Sequence, residues 1–522
     1  MNKFLENKWA LSITAGVLLG LSFPPVDLSF LSFPAFILLF LLADKCDSNK
    51  QLAYYSYAGF VIWNLITTYW LMMASLVAGI AAVLANAAIM TIPLVLFRIC
   101  SKRFDKAWLI ALLHASIWVS YEFLHHNWDL SWPWLTLGNA WANQVSLIQY
   151  ISATGHLGIS FWVIFTSSLA FLAFKNKKQS IALAATFALL LPSGISLMMF
   201  LGSTEEPAIK TTSVAVIQPN HDSYESHGGL GSHSVLMDSL FSITNKVITD
   251  DTELIVWPEN AVDAGIYMNS RTALSISDSA QAWNASLITG TGLFELYNEP
   301  PTLYRDMLNG RARNYFNAAL YVDADGDRTR YDKHNLVPVV ERFPFVEFFN
   351  AVDVFGWLDW GNIAGFGKGL EATSLKTYNF TTQGLICYDS VYPSWIREFV
   401  KDEADFITII TNDGWWGNTS GHYQHFAYAR LRAIEFDRWI VRSANNGFSG
   451  IIDPEGNVLQ KTNYWERTGF TFDVPSKSTK TIYTIFGDWL GYLCLILSVG
   501  GLGFVWFGKL RHNLTKNRET AN

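Results

Sequence analysis

Cysteine is nearly missing from this chain. Its 522 residues hold four, at positions 46, 100, 387 and 494. Cys46, Cys100 and Cys494 fall in or beside apolar segments, so no disulfide framework is visible. Charge is scarce too: 16% of residues are charged and 50% are hydrophobic. That balance is too apolar for a wholly soluble protein and too polar for a pure membrane bundle. Positive charge is not in excess, and a net charge of -7 leaves no nucleic-acid footprint. Low-complexity segments and obvious repeats are lacking. The first apolar segment lacks a small-residue cleavage site and ends in Ser22-Phe23-Pro24-Pro25. A retained span is therefore expected there, not a signal peptide.

What the chain has is apolar length at its two ends. A bilayer-crossing helix needs about 20 mostly apolar residues. Seven such segments precede residue 203, at roughly 8–24, 28–44, 53–73, 76–98, 107–124, 157–174 and 180–201. An eighth lies at roughly 484–508. The second is short and carries Pro34. Lysines and arginines fall on alternate loops: Lys3 and Lys8, Lys45 and Lys50, Arg98 to Lys106, Lys175 to Lys178, and Lys509 to Arg518. The intervening loops, including 125–156, hold none. This positive-inside pattern predicts cytoplasmic termini and an external stretch at 203–483. The expected organisation is a membrane bundle of seven helices at 1–202, an extracytoplasmic domain at 203–483, and an eighth helix with a cytoplasmic tail at 484–522. Trp128, Trp132, Trp134 and Trp141 crowd the loop at 125–156. Their amphipathic rings predict an interfacial anchor or, more sharply, a wall of a lipid-entry groove.

Residues 203–483 carry apolar runs of strand length at 213–218, 253–257, 285–290, 318–322 and 406–411. Helix-like stretches at 232–248 and 423–437 lie between some of them. Several strands read apolar on both faces, which predicts a layered α/β domain with functional residues at strand ends. Cys387 is the only cysteine in this stretch, at the point where Gly384-Leu385-Ile386 gives way to Tyr388-Asp389. A lone thiol outside the cytoplasm is either buried and inert or a nucleophile. Glu259 and Lys333 also follow strand-like runs. A thiol attacking an acyl carbon needs a base, which a carboxylate can supply. It also needs positive charge or N–H groups at the developing oxyanion, and a nearby lysine favours the thiolate. Cysteine, glutamate and lysine make a complete acyl-transfer set. Each charge is equally the kind of residue that ends an ordinary loop.

The wording around these residues is more specific. Trp257-Pro258-Glu259, Tyr331-Asp332-Lys333 with Leu336-Val337-Pro338, and Ile386-Cys387-Tyr388 resemble the Glu-Lys-Cys triad of the nitrilase (carbon–nitrogen hydrolase) superfamily. Asn412-Asp413-Gly414-Trp415-Trp416-Gly417 and Arg442-Ser443-Ala444-Asn445-Asn446-Gly447 fit the same pattern. With the apolar ends, and with Gly20-Leu21-Ser22-Phe23-Pro24-Pro25 and Trp132-Pro133-Trp134, nearly the whole chain resembles the apolipoprotein N-acyltransferases. That resemblance implies an eight-span α-helical bundle plus a nitrilase-like α-β-β-α sandwich. It implies that Cys387 takes an acyl chain from a phospholipid, phosphatidylethanolamine, as a thioester. The chain then passes to the α-amine of diacylglyceryl-cysteine on an apolipoprotein. Glu259 would be the base, Lys333 the oxyanion stabiliser and Glu341 a base-positioning residue, with Tyr388 and Trp415 lining the substrate site. No cofactor and no metal are implied. The expected protein is a monomer in the bacterial inner membrane with its catalytic domain on the periplasmic side. Two departures stand out: Val339-Val340-Glu341-Arg342 replaces the family's Phe-Gly-Glu-Tyr, and Asp389 replaces a glutamate after Cys-Tyr.

A membrane-tethered amidase hydrolysing a small amide is the alternative, since Cys387 alone does not tell water from amine. Seven spans are excessive for a tether. A transporter would need polar groups within the spans, which are scarce. His422 and His425 lack a third ligand for a metal. Asp323-Ala324-Asp325-Gly326-Asp327 has His334 where a calcium loop needs glutamate, so a hairpin turn is expected. Glu122 is an ionisable group near membrane depth, a position that is often functional.

Overall fold

The computed structural model describes residues 2–203 and 210–519. The chain divides into two compact units. One gathers the chain up to Trp128, Trp132–Gly202 and everything from Phe486 onward; the other holds Asp129–Ser131 and Ser203–Ile485.

The first unit is helical. Its main helices are Lys8–Ser22, Ser32–Lys45, Asn49–Thr68, Leu76–Ser101, Ala107–His126, Leu157–Asn176, Gln179–Gly202 and Trp489–Glu519. Among the described residues, five are long and apolar enough to cross a membrane: the fourth to seventh of these, and Trp489–Gly508. The other three fall short for plain reasons. Lys8–Ser22 has 15 residues and Ser32–Lys45 has 14. Asn49–Thr68 opens on Asn49-Lys50-Gln51 and buries Asn64, Thr67 and Thr68. Lys8–Ser22 and Asn49–Thr68 touch backbone to backbone, since a Cβ on Gly16 would sit 2.2 Å from Gly59 O. Some polar groups inside this unit pair with one another: Asn86 Nδ2 donates to Asn64 Oδ1 at 2.8 Å. Glu122 accepts from Trp118 Nε1 and from the Leu137 amide, both at 2.8 Å.

The tryptophan-rich loop differs from expectation. Three short 3₁₀ turns, Pro133–Leu135, Leu137–Trp141 and Val145–Leu147, fold it inward. Trp134 and Trp141 are buried, with Trp134 against Trp70 and Trp141 wedged between Phe30, Phe33 and Trp162. Only Trp128 of the four stands substantially exposed. Trp134 and Trp141 are core aromatics of the helical unit, not surface anchors.

The second unit is α/β. Its first sheet holds β1 (Thr211–Gln218), β2 (Leu254–Val256), β3 (Val262–Ile266), β4 (Ser286–Tyr297), β5 (Asp306–Leu308), β6 (Arg311–Val322) and β7 (Arg328–Asp332). After a two-strand ribbon, β8 (Leu375–Lys376) with β9 (Thr381–Thr382), the second sheet holds β10 (Gly384–Ile386), β11 (Ile407–Thr411), β12 (Ile440–Ala444), β13 (Gly450–Ile452) and β14 (Val458–Lys461). Strand β15 (Thr468–Pro475) returns to the first sheet beside β1. The order in the first sheet is β15-β1-β2-β4-β6-β5, with β3 on β4 and β7 on β6. The second runs β10 to β14 in sequence order.

Strand alternation assigns the faces. Ala215 and Ile217 pack with Leu236 and Leu240 of the helix His233–Val247 and with Ile276 of the helix Arg271–Trp283. Val214 and Val216 turn the other way, into one core with Leu385 and Ile409 of the second sheet. That core continues to Phe399 and Phe436 on the helices Pro393–Lys401 and Ser420–Phe436. The layering is helix, sheet, sheet, helix. Strands β1, β2 and β4 run parallel, as do β10, β11 and β12. Parallel strands deliver their C-terminal ends to one rim, where Glu259, Cys387 and Asn412 follow them. The aspartate-rich segment is the expected hairpin: between β6 and β7, Asp323 N donates to Asp327 O at 3.0 Å.

Candidate active site

Each candidate residue is placed by a strand that ends just before it. Val256 closes β2, and Trp257-Pro258 leads to Glu259. Asp332 closes β7, directly before Lys333. Ile386 closes β10, and Cys387 starts a 3₁₀ turn, Cys387–Val391. Its φ is 46°, in the left-handed region that non-glycine residues rarely visit and that tends to mark functional sites. Cys387 therefore sits on a sharp turn at the edge of the second sheet. Gly290 on β4 makes room for Glu259: a Cβ there would lie 2.4 Å from Glu259 Cα.

The charged residues form a buried ladder. Lys333, 1% exposed, places Nζ 2.8 Å from Glu341 Oε1 and 3.5 Å from Glu259 Oε1. Asn317 on β6 bridges the two carboxylates, its Nδ2 donating to Glu259 Oε1 at 2.8 Å and to Glu341 Oε1 at 3.0 Å. The Asn412 amide donates to Glu259 Oε2 at 2.9 Å, and the Val337 amide to Glu341 Oε2 at 2.8 Å. Lys333 and Asn317 are further locked by a backbone bond, Lys333 N to Asn317 O, at 2.9 Å.

The electrostatics follow from burial and pairing. Burial pushes the Cys387 thiol well above its ordinary value; Glu259 and Asp413 add to this, while Lys333 and a hydrogen bond with Thr411 oppose it. The net effect is the reverse of the thiolate expected from a lysine neighbour: the resting thiol keeps its proton and needs a base. Burial raises Glu259 as well, with Glu341 adding and Lys333, Asn317 and Asn412 opposing. A raised carboxylate is a better proton acceptor. For Lys333, burial disfavours the charge, but Glu341 and Glu259 outweigh it and the amine is held protonated.

Behind Cys387 lies a second buried network that sequence reasoning passed over. Asp413 accepts from Arg442 Nη2 at 2.9 Å, and its other oxygen lies 2.9 Å from His425 Nδ1. His425 Nε2 is 3.1 Å from Ser390 Oγ, which donates to the Cys387 carbonyl at 2.6 Å. Burial works against the Asp413 charge, but Arg442 and His425 overcome it and hold its carboxyl well below the usual range. His425 is thus a structural partner here, and His422 stacks on Tyr464.

Asp389, the departure noted in the sequence, is fully engaged. Its Oδ2 accepts from Tyr331 OH at 2.6 Å, and its Oδ1 from the Asn335 amide at 2.7 Å and Asn335 Nδ2 at 3.0 Å. It ties the Cys387 turn to the segment bearing Lys333. Tyr388 is buried with its ring 5.2 Å from Tyr392. Trp415, 37% exposed, stands further out with its ring on Tyr224. The structure thus gathers Cys387, Glu259, Lys333 and Glu341, sets Tyr388 beside them, and leaves Trp415 on the exposed side. Asn317 was missed; its one signal is a polar residue opening the apolar run Ala318–Val322. Val339 and Val340 are exposed, and Val339 adopts φ of 69°. The polar arm of Arg342 reaches Phe366 O at 2.6 Å.

Comparison with known proteins fits this geometry. Residues 15–169 match the apolipoprotein N-acyltransferase N-terminal domain, and residues 213–483 match the carbon-nitrogen hydrolase family. An apolipoprotein N-acyltransferase of Chlorobaculum tepidum is 30% identical over 518 residues, covering 95% of this chain and 96% of that protein. One of Geobacter metallireducens is 24% identical over 519 residues, covering 93% of each. A nitrilase-superfamily protein from Saccharomyces cerevisiae aligns with 54% of this chain and 96% of its own, at 16% identity and a TM-score of 0.37. Full-length similarity at this level, across both the helical and the α/β units, means that the chain belongs to the apolipoprotein N-acyltransferase family, whose members are membrane proteins built on a nitrilase-like domain.

Proposed function

We propose that this chain N-acylates lipoproteins in two half-reactions through Cys387. In the first, Glu259 takes the thiol proton as Sγ attacks an ester carbonyl of a membrane phospholipid. The oxyanion forms against the Lys333 ammonium. Collapse expels the lysophospholipid alkoxide, which takes the proton back from Glu259 and leaves an acyl thioester. In the second, the free α-amine of a diacylglyceryl-cysteine attacks the thioester. Glu259 removes one amine proton and returns it to the departing thiolate, giving an amide and the free thiol. Glu341 and Asn317 hold Lys333 and Glu259 in register.

The observation that carries this reading is the buried Glu259–Lys333–Glu341 ladder beside a thiol on a left-handed turn. The match at residues 15–169 favours transfer over hydrolysis, because a plain amidase needs no such helical unit. Phosphatidylethanolamine is the proposed donor, and the proposed protein works as a monomer. Eight helices would span the inner membrane, with the α/β unit at 203–483 on the periplasmic side. The alternation of basic and uncharged loops supports that orientation. Intact-mass analysis after exposure to phospholipid tests the reading. One added acyl chain, released by neutral hydroxylamine, is expected. An unchanged adduct on Cys387→Ala would sink the assignment.

A further inference from the structure

Away from the Cys387 cluster, three metal-binding side chains converge on the α/β unit from three different elements. His227 sits in the turn after β1, His233 begins the helix His233–Val247, and Asp263 lies on β3. His227 Nδ1 is 2.6 Å from Asp263 Oδ2, and His233 Nδ1 is 3.2 Å from Asp263 Oδ1. One ligand atom from each lies within 4.8 Å of the others. The other nitrogen of His233 is held by Thr272 Oγ1 at 3.4 Å, the kind of outer partner that orients a ligating imidazole.

A fourth histidine supplies an independent sign. His227 and Gly228 take left-handed backbone, at φ 54° and 62°, and fold their turn onto His221. A Cβ on Gly228 would lie 2.5 Å from His221 Cβ. His221 is 6% exposed, yet neither of its ring nitrogens has a hydrogen-bond partner among the described residues. A buried imidazole normally finds one. Asp263 lies close enough to act on it electrostatically. Two imidazoles, one carboxylate and a spare buried imidazole make a donor set for an ion of the zinc class. Bonds of about 2.0 Å place tetrahedral ligand atoms about 3.3 Å apart, so the side chains need shift by less than about 1 Å.

We propose that His227, His233 and Asp263 bind one divalent ion of the zinc class, with His221 as an additional donor toward it. The ion is structural. It pins the segment between β1 and the first helix to the strand that follows Glu259. That segment is already tied to the candidate site: Asn445 Nδ2 and Asn446 Nδ2 donate to His221 O at 2.9 and 2.6 Å. Asn445 also reaches Asn412 Oδ1 at 3.3 Å, and the Asn412 amide holds Glu259. The proposal does not depend on what Cys387 does.

The test uses the full chain in detergent, without a histidine tag and carrying Cys387→Ser so that the thiol cannot hold the ion. After chelator stripping, the protein is titrated with zinc alone in competition with a chromophoric chelator, and separately with cobalt(II). One equivalent of zinc and strong visible cobalt bands are expected. His233→Ala and Asp263→Asn should each weaken binding at least about tenfold, and His221→Phe about tenfold. Absence of saturable zinc binding by the protein with all four residues intact would overturn the proposal without any of these variants. So would equal affinity in the Asp263→Asn, His233→Ala double variant.

Discussion

Lys333 and Glu341 form a buried ion pair at 2.8 Å, and the same glutamate oxygen also accepts from Asn317. Removing one partner of a buried pair leaves the other uncompensated. Glu341→Ala is therefore expected to cost about 3 kcal/mol of stability, visible as a lowered unfolding temperature. It should also slow thioester formation. Glu341→Gln keeps an oxygen for Lys333 and should lose less of both. Equal unfolding temperatures for Glu341→Ala and the parent would contradict a supporting role.

Glu259 and Lys333 are separable by variant. Glu259→Gln keeps one oxygen, enough for the Asn317 amide or the Asn412 N–H but not for both, so the fold should survive with some loss of stability while proton abstraction fails. Lys333→Met removes the charge at the oxyanion and should slow acylation by about 10²–10³. Single-turnover acylation, followed by intact mass, reads both. A near-parent rate in either variant removes that residue from its role.

Burial raises the Asp389 carboxyl to about 6, against hydrogen bonds from Tyr331 and Asn335 and the charge of Lys333. In this window the folded protein binds more protons than the unfolded chain. The Asp389 contribution is thus fully present below its unfolded pKa of about 4 and is lost as pH rises through about 6. Unfolding temperature should carry a falling component across that window, and Asp389→Asn should lack it. An unaltered pH profile in the variant would show that another group is responsible.

Topology is testable with a reporter active only outside the cytoplasm. Fused after about residue 203 it should work, and fused after Lys178 it should not. The reverse result would mean that one of the three shorter or more polar helices does not cross.

If an amine and not water is the acceptor, a Cys387 thioester should persist in buffer with lipid alone. A diacylglyceryl-cysteinyl peptide with a free amine should discharge it rapidly. The same peptide acetylated on that amine should not, because its lone pair is no longer nucleophilic. Quick release of free fatty acid without peptide would favour the amidase.

Strand ends were legible in the sequence because β2, β10 and β11 are short apolar runs cut off by polar residues. Cys387 and Glu259 stood out for that reason, whereas Lys333 follows the polar strand β7 and stood out through the wording Tyr331-Asp332-Lys333. Asn317 did not, because a single amide inside a long strand has no local signature, and its partners lie 58 and 24 positions away. The Asp413–His425–Arg442 network was hidden similarly: its members come from three elements and meet only in the fold. Nor could the sequence separate an interfacial tryptophan from a packed one. Trp141 is buried only because Phe30, Phe33 and Trp162 arrive from distant helices. Nothing in the sequence singles out His227 and His233, which meet Asp263 of β3 only in the fold.

The buried ladder has one more implication. Two carboxylates and one ammonium sum to a single negative charge. In the proposed mechanism, passing a proton from the thiol to Glu259 moves that charge without enlarging it, and each half-reaction hands the proton back. The circuit is closed. No ion need be imported from bulk water and no new charge need be solvated. Under the proposed mechanism, a site wired in this way can run while acyl chains shut the solvent out, and dryness would keep a thioester waiting for an amine.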